Sequence, residues 1–292
     1  LRVGSFEYAA GSGVSGATEA LLDYAIARHY PQLADAPDRP RAFLDAVVGA
    51  QAELAAQWMG LGFVHGVLNT DNVAISGETI DYGPCAFLDT YHPATVFSSI
   101  DRHGRYAFGN QPRITHWNLA RLAEALGLDE QATDSFPKRY EQALFEVIGP
   151  KVGIAQLRAD DWEIVQGLLD SMQTLELDFT NTFRSLAHPG SAEHIALKNE
   201  SWYPAWRARL VEVWGAADRP EAGTLMDAHN PVYIPRNHLV EETLAAAESS
   251  DLEPFHGLLK VLVRPYSEQT GQERYAQPAP KSDARYVTYC GT

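Results

Sequence analysis

Cysteine is nearly missing from this 292-residue chain: there are two, Cys85 and Cys290. That excludes a disulfide-stapled small fold and any zinc site built on cysteine pairs. Long apolar runs are missing too, since none approaches the roughly 20 residues that a membrane-spanning helix needs. Basic excess is also lacking. Twenty-three Lys and Arg against 38 Asp and Glu leave a net charge of −15, the wrong sign for a general phosphate-backbone binder. No secretory pattern opens the chain, so the expected compartment is the cytoplasm, with neither nucleic acid nor membrane as partner. The first residue is Leu1 rather than Met, which reads as a processed chain or a piece of a longer one. What is present suits a globular protein: 45% hydrophobic residues, six Trp and thirteen Tyr, with ample length for a real core.

Along the chain, residues 1–10 form a short mixed segment, strand-like at best. Gly11-Ser12-Gly13-Val14-Ser15-Gly16 fits a G-x-G-x-x-G pattern. A dinucleotide site needs a buried strand before such glycines and an acid about 20 residues later. Here a helical pattern, Ala17 to Tyr30, runs into a Pro/Asp-rich stretch, so the glycines read as a loop before a helix. Phe43, Val47, Val48, Leu54, Trp58 and Met59 recur at helical spacing and predict a long helix over Arg41–Leu61, ended by Gly60 and Gly62. Short strands are expected near Phe63, over Val73–Ile75 and over Thr79–Ile80. A long irregular segment follows, Tyr82 to Thr115, of the kind that is usually functional. Further helices are expected over Trp117–Leu126, Gln131–Ile148, Asp160–Leu175, Asp178–Leu186, Ser201–Trp214, His238–Glu248 (capped by Asn237) and Leu252–Val263. A polar tail closes the chain from Arg264 to Thr292. The fold class is α+β, predominantly α, with a few short strands carrying a polar loop.

That loop concentrates the chemistry. His65-Gly66-Val67-Leu68-Asn69-Thr70-Asp71-Asn72 is followed by Thr79-Ile80-Asp81-Tyr82-Gly83. A protein-kinase-type phosphotransferase needs an acid/base on a loop, an Asn on that loop for metal, and a second metal Asp before a Gly. Asn72 follows His65 by seven positions, as in a kinase catalytic loop, and Asp81-Tyr82-Gly83 stands where Asp-Phe-Gly belongs. The position of the kinase base, however, is Val67, and an Asp stands instead beside the metal Asn, as Asp71. The order implies altered chemistry on a kinase-like nucleotide site. His65 reads as a buried, hydrogen-bonded organiser of the loop. Arg102, His103 and Arg105 lie where a kinase has its activation segment, either ordering that loop or meeting a protein substrate.

The signature, continued as Asp81-Tyr82-Gly83-Pro84, resembles the selenoprotein O family of protein adenylyltransferases. The likeness extends through Gly104-Arg105-Tyr106, Asn110-Gln111-Pro112, Trp117-Asn118-Leu119, Asn230-Pro231-Val232-Tyr233, Arg236-Asn237-His238-Leu239 and Arg264-Pro265-Tyr266. The resemblance implies a pseudokinase fold that binds ATP in a flipped orientation and transfers AMP to hydroxyl side chains of proteins. It implies Asp71 as general base and Asn72 with Asp81 holding Mg2+ (or Mn2+). It gives Arg2 as a phosphate contact on ATP, against the alternative of a solvated charge at a fraying end. It also implies a kinase-like large, C-terminal lobe over 1–292, with the family's small N-terminal lobe absent from this chain and residues 264–292 as tail. Family members often carry a redox-active residue near the position of Cys290. Cys85 is its possible partner here, while the family's usual partner position is Phe97; two reduced thiols is the other reading. A kinase-like phosphotransferase and a non-catalytic scaffold are the rival functions.

Overall fold

A computed structural model of the chain describes residues 1–280 and 286–289. Most of the chain is helical. In order the elements are α1 (Val3–Gly11), α2 (Ala17–His29), α3 (Arg39–Leu61), β1 (Phe63–Val64), β2 (Ala86–Phe87), α4 (Gln111–Ala125), α5 (Phe136–Lys151), α6 (Trp162–Thr174), α7 (Phe179–Ser185), α8 (Ala192–Leu197), α9 (Tyr203–Trp214), α10 (Pro220–His229), α11 (Asn237–Glu248) and α12 (Glu253–Leu262).

α3 is the axis. Asp38 caps it by accepting the Arg41 N–H at 3.1 Å, and Pro40 sits in the first turn, where a missing N–H costs nothing. Phe43, Leu44, Val47 and Val48 are fully buried, each contributing about 1.5–3 kcal/mol of apolar transfer. Gly62 ends the helix at φ +71°, with the Phe179 ring where a side chain would project. β1 follows at once and pairs antiparallel with β2, Phe63 opposite Phe87 and Val64 opposite Ala86. Successive strand residues face opposite ways. Phe63 therefore joins the core around α1–α4, while Val64 joins the second core around α5–α10. This two-residue strand is the seam between the two, and the polar loop leaves from its end. A third, smaller cluster packs α11 on α12.

Arg236, fully buried, ties distant segments together. It donates to Asp89 at 2.8 Å, to Asp178 at 2.6 and 3.1 Å, to Asn181 Oδ1 at 2.9 Å and to the Ala276 carbonyl at 3.3 Å.

Several sequence expectations need correction. Residues 1–10 are mostly helix, because Val3 and Phe6, one turn apart, both bury against α4; only Arg2 bridges, to Ala74. The strands expected over 73–75 and 79–80 shrink to isolated antiparallel bridges, Val73 to Thr79 and Ala74 to Arg2. Asn237 does not cap α11. Arg236 stands at that position, and the Asn237 amide donates instead to the Phe87 carbonyl at 3.0 Å. Helices α8 and α10 were not expected. The polar tail is not loose where it is described: Thr288 bridges Ser98 in parallel, donates from its N–H to Phe97 O at 2.9 Å and from its hydroxyl to Pro84 O at 2.7 Å.

Candidate active site

The loop after β1 is fastened along its length by buried amide side chains. At its start, Gln111 at the head of α4 accepts the His65 N–H through Oε1 at 2.9 Å and donates through Nε2 to Phe63 O at 2.9 Å. Seven residues further along the same face of α4, Asn118 donates to Leu68 O at 3.1 Å. Gly66 turns the chain at φ +87°, pressed against the Pro84 carbonyl, where a Cβ would not fit. Past the turn, Gln51 of α3 donates to Ala74 O at 2.7 Å, and the Trp58 indole donates to Thr79 Oγ1 at 2.9 Å. The loop is therefore rigid at both ends.

His65 is the organiser expected of it. It is fully buried, and burial pushes its pKa below the ordinary value. Its Nε2 lies 2.9 Å from the Ile80 carbonyl, which can only accept, so Nε2 carries the proton. This bond clips the first polar cluster to the second, one residue before Asp81.

Asp71 and Asn72 sit on a single tight turn, residues 70–72. The Asn69 side chain accepts the Asp71 N–H at 2.9 Å, and the Asn72 N–H donates to the Asn69 carbonyl at 3.0 Å. Asn72 Nδ2 donates to Val67 O at 2.9 Å, which fixes the amide plane and leaves Oδ1 free to accept. Asp71 is exposed. So is Asp81, whose backbone is left-handed at φ +57°, an uncommon setting for a non-glycine residue. Among the described residues neither carboxylate accepts a side-chain hydrogen bond. Arg2, 69 residues away, is brought to this turn: Nη1 donates to the Asp71 carbonyl at 3.1 Å and lies 3.9 Å from Oδ1. Its end of the chain is not frayed, because Val3 N–H donates to Val73 O at 2.9 Å and Ile75 N–H to Leu1 O at 3.1 Å.

Residues 1–263 match the family described as protein adenylyltransferase SelO. Proteins named protein nucleotidyltransferase YdiU are 48% identical in Cereibacter sphaeroides, 46% in a Mycobacterium species and 47% in Clostridium perfringens, each match covering the whole of this chain. The chain belongs to the SelO family. It spans 62–63% of the length of those relatives.

The amide oxygen of Asn72 and the carboxylate of Asp81 are oxygen donors of the kind a hard divalent ion takes. Among the described residues no three His, Cys, Asp or Glu side chains converge into a closed cage. Cys85 stands close by: its thiol donates to Tyr82 O at 3.0 Å, and burial pushes it up to about 11. A thiol so placed is a poor nucleophile. Cys290 lies outside the described residues. Arg102, His103 and Arg105 are exposed, and among the described residues no helix is long and apolar enough to cross a membrane.

Sequence reasoning passed over Gln51, Gln111 and Asn118 as loop holders. Their signal was available. Gln111, Thr115 and Asn118 fall at helical spacing on the apolar face of α4, beside Ile114, Leu119 and Leu122, where a polar residue must have a partner.

Proposed function

We propose that this chain is the kinase-like catalytic lobe of a protein adenylyltransferase, over residues 1–292 with a tail from residue 264, that moves AMP from ATP to Ser, Thr or Tyr hydroxyls of proteins. Asp71 takes the proton of the acceptor hydroxyl as that oxygen bonds to the α-phosphorus of ATP. The α-phosphorus–oxygen bond to the β-phosphate breaks, and pyrophosphate leaves. Asn72 and Asp81 would hold Mg2+ (or Mn2+), which when bound offsets charge on the phosphates. Arg2 uses one nitrogen on the Asp71 carbonyl and keeps its remaining N–H donors for phosphate oxygen. Rigid placement of these groups is what such a transfer asks of a protein, since positioning and charge stabilisation supply most of its rate.

The observation that carries the reading is the turn at 70–72. It is pinned from α1 and within its own loop, yet keeps the Asp71 carboxylate exposed, 3.9 Å from Arg2 Nη1, and spends only the amide nitrogen of Asn72 among the described residues. At the position of a kinase base stands Val67, 8% exposed and with an apolar side chain that can take no proton, which disfavours γ-phosphoryl transfer. The test uses a protein of the relatives' full length that contains this chain, with ATP labelled at the α or the γ phosphate. Label on protein from α-labelled ATP alone is expected, and Asp71→Ala, Asn72→Ala and Asp81→Ala should each abolish it. Transfer of the γ label, or full activity in Asp71→Ala, would refute the assignment.

A further inference from the structure

α4 has two polar faces with different tasks. Its inner face, Gln111, Thr115 and Asn118, is buried and holds the Asp71 loop. On the outer face Arg113, Trp117 and Arg121 recur every four residues, one stripe along the helix. Trp117 is 41% exposed. Arg121 lies 5.6 Å from the centre of its indole, and Arg105, reaching across from the preceding loop, lies 4.6 Å from it. Two guanidiniums thus share one ring.

The charges here are poorly neutralised. Arg121 pairs with Glu124 at 2.6 Å. Asp101 spends both carboxylate oxygens on the backbone N–H groups of Arg105 and Tyr106. Arg102, Arg105 and Arg113 have no carboxylate partner among the described residues. Most arginines elsewhere are ion-paired, Arg139, Arg184, Arg209 and Arg236 among them, while Arg28, Arg219 and Arg264 lie apart from one another without a carboxylate partner among the described residues. In a chain of net charge −15, three exposed arginines without a carboxylate partner, one of them stacked on Trp117 beside the ion-paired Arg121, make a local reversal of sign. Like charges so close repel unless an anion lies between them, and arginine stacked on an aromatic ring keeps its fork free for carboxylates.

We infer that this stripe is a docking surface for an acidic segment of the protein that receives AMP. It lies on the other side of α4, about one helix diameter, roughly 10 Å, from the inner face that holds the Asp71 loop. The inference rests on the proposed transfer to protein hydroxyls, but its test does not.

The probe is a fluorescein-labelled peptide with glutamates around one tyrosine, compared with the same peptide carrying lysines, and binding is read by anisotropy. The glutamate peptide is expected to bind and to weaken steeply with added salt. In Arg105→Glu/Arg113→Glu its Kd rises at least tenfold, with thermal stability unchanged because both side chains are exposed. Asp71→Ala binds it as the parent does. Equal affinity for the lysine peptide, an unchanged Kd in the double variant, or tighter capture of a uridine-rich RNA would each overturn the inference. If the peptide binds at this stripe while no AMP is transferred, the docking surface stands and the proposed function falls.

Discussion

The sharpest test of the Asp71 assignment is to add one carbon atom at Gly4. This glycine lies in the first turn of α1, against the turn that carries the carboxylate. A Cβ built there would overlap Asp71 Oδ1 and come within 3.1 Å of its Cγ. Either the carboxylate swings away or α1 shifts. The helix start is held by Val3 N–H on Val73 O at 2.9 Å and by Ile75 N–H on Leu1 O at 3.1 Å, so the exposed side chain is the softer element and moves. Alanine is the better helix former by up to about 1 kcal/mol, worth about 2 °C in Tm for a chain of this size. A general base displaced by about 1 Å costs on the order of 100-fold in rate. Gly4→Ala should therefore lower kcat for AMP transfer about 100-fold, with Tm level or slightly raised. Gly11→Ala is the control, since a Cβ at the far end of the same helix meets nothing within 4 Å; it should keep full activity. Rates from α-labelled ATP and thermal scans of both variants decide the matter. If Gly4→Ala retains kcat, Asp71 is not the base.

Two further predictions concern buried charges. Lys151 is fully enclosed, with Nζ 3.3 Å from the His229 carbonyl and 4.7 Å from the Phe183 ring centre, and burial lowers its pKa from 10.5 to about 7. The unfolded chain then binds the extra proton between about pH 7 and 10.5, so stability climbs with pH across that window and is lost as pH falls toward 7. The full span is worth on the order of 5 kcal/mol. In urea titrations Lys151→Met should gain most over the parent at pH 7 and less at pH 9.5, and a gain that grows with pH would contradict the sign. At Arg236, burial raises the Asp178 carboxyl above its ordinary range even with the guanidinium beside it. Arg236→Met strands that carboxylate and should cost about 3–5 kcal/mol. Adding Asp178→Asn should recover part of the loss, and a double variant no more stable than the single one would exclude a stranded charge as the cause.

The pattern of what the sequence disclosed has a physical cause. Most of the long helices were legible because an amphipathic stripe repeats within its own segment: α3, α5 and α6 bury the apolar positions that their spacing predicts. The order of His65, Asp71, Asn72 and Asp81 was legible for the same local reason, since all four lie within one short stretch between Phe63 and Gly83. What holds that stretch from outside was not, because those clamps are long-range: Gln111 is 46 residues from His65, Asn118 is 50 from Leu68, and Arg2 is 69 from Asp71. Residues 1–10 misled because two apolar positions, Val3 and Phe6, are too few to show a period. The helix owes its existence to the surface of α4 and to the 70–72 turn beneath it. Asn237 misled in the opposite way. An amide before an apolar run looks like a cap, but a nearby strand carbonyl, Phe87 O, lacked a partner and took it. An amide's type says that it will be satisfied and not by whom. The informative amides are those on an otherwise apolar helix face, as on α4, where water cannot answer and a backbone loop must pack against them. Scanning helices for that exception points to the clamped segment, and in this chain the clamped segment is the one bearing Asp71 and Asn72.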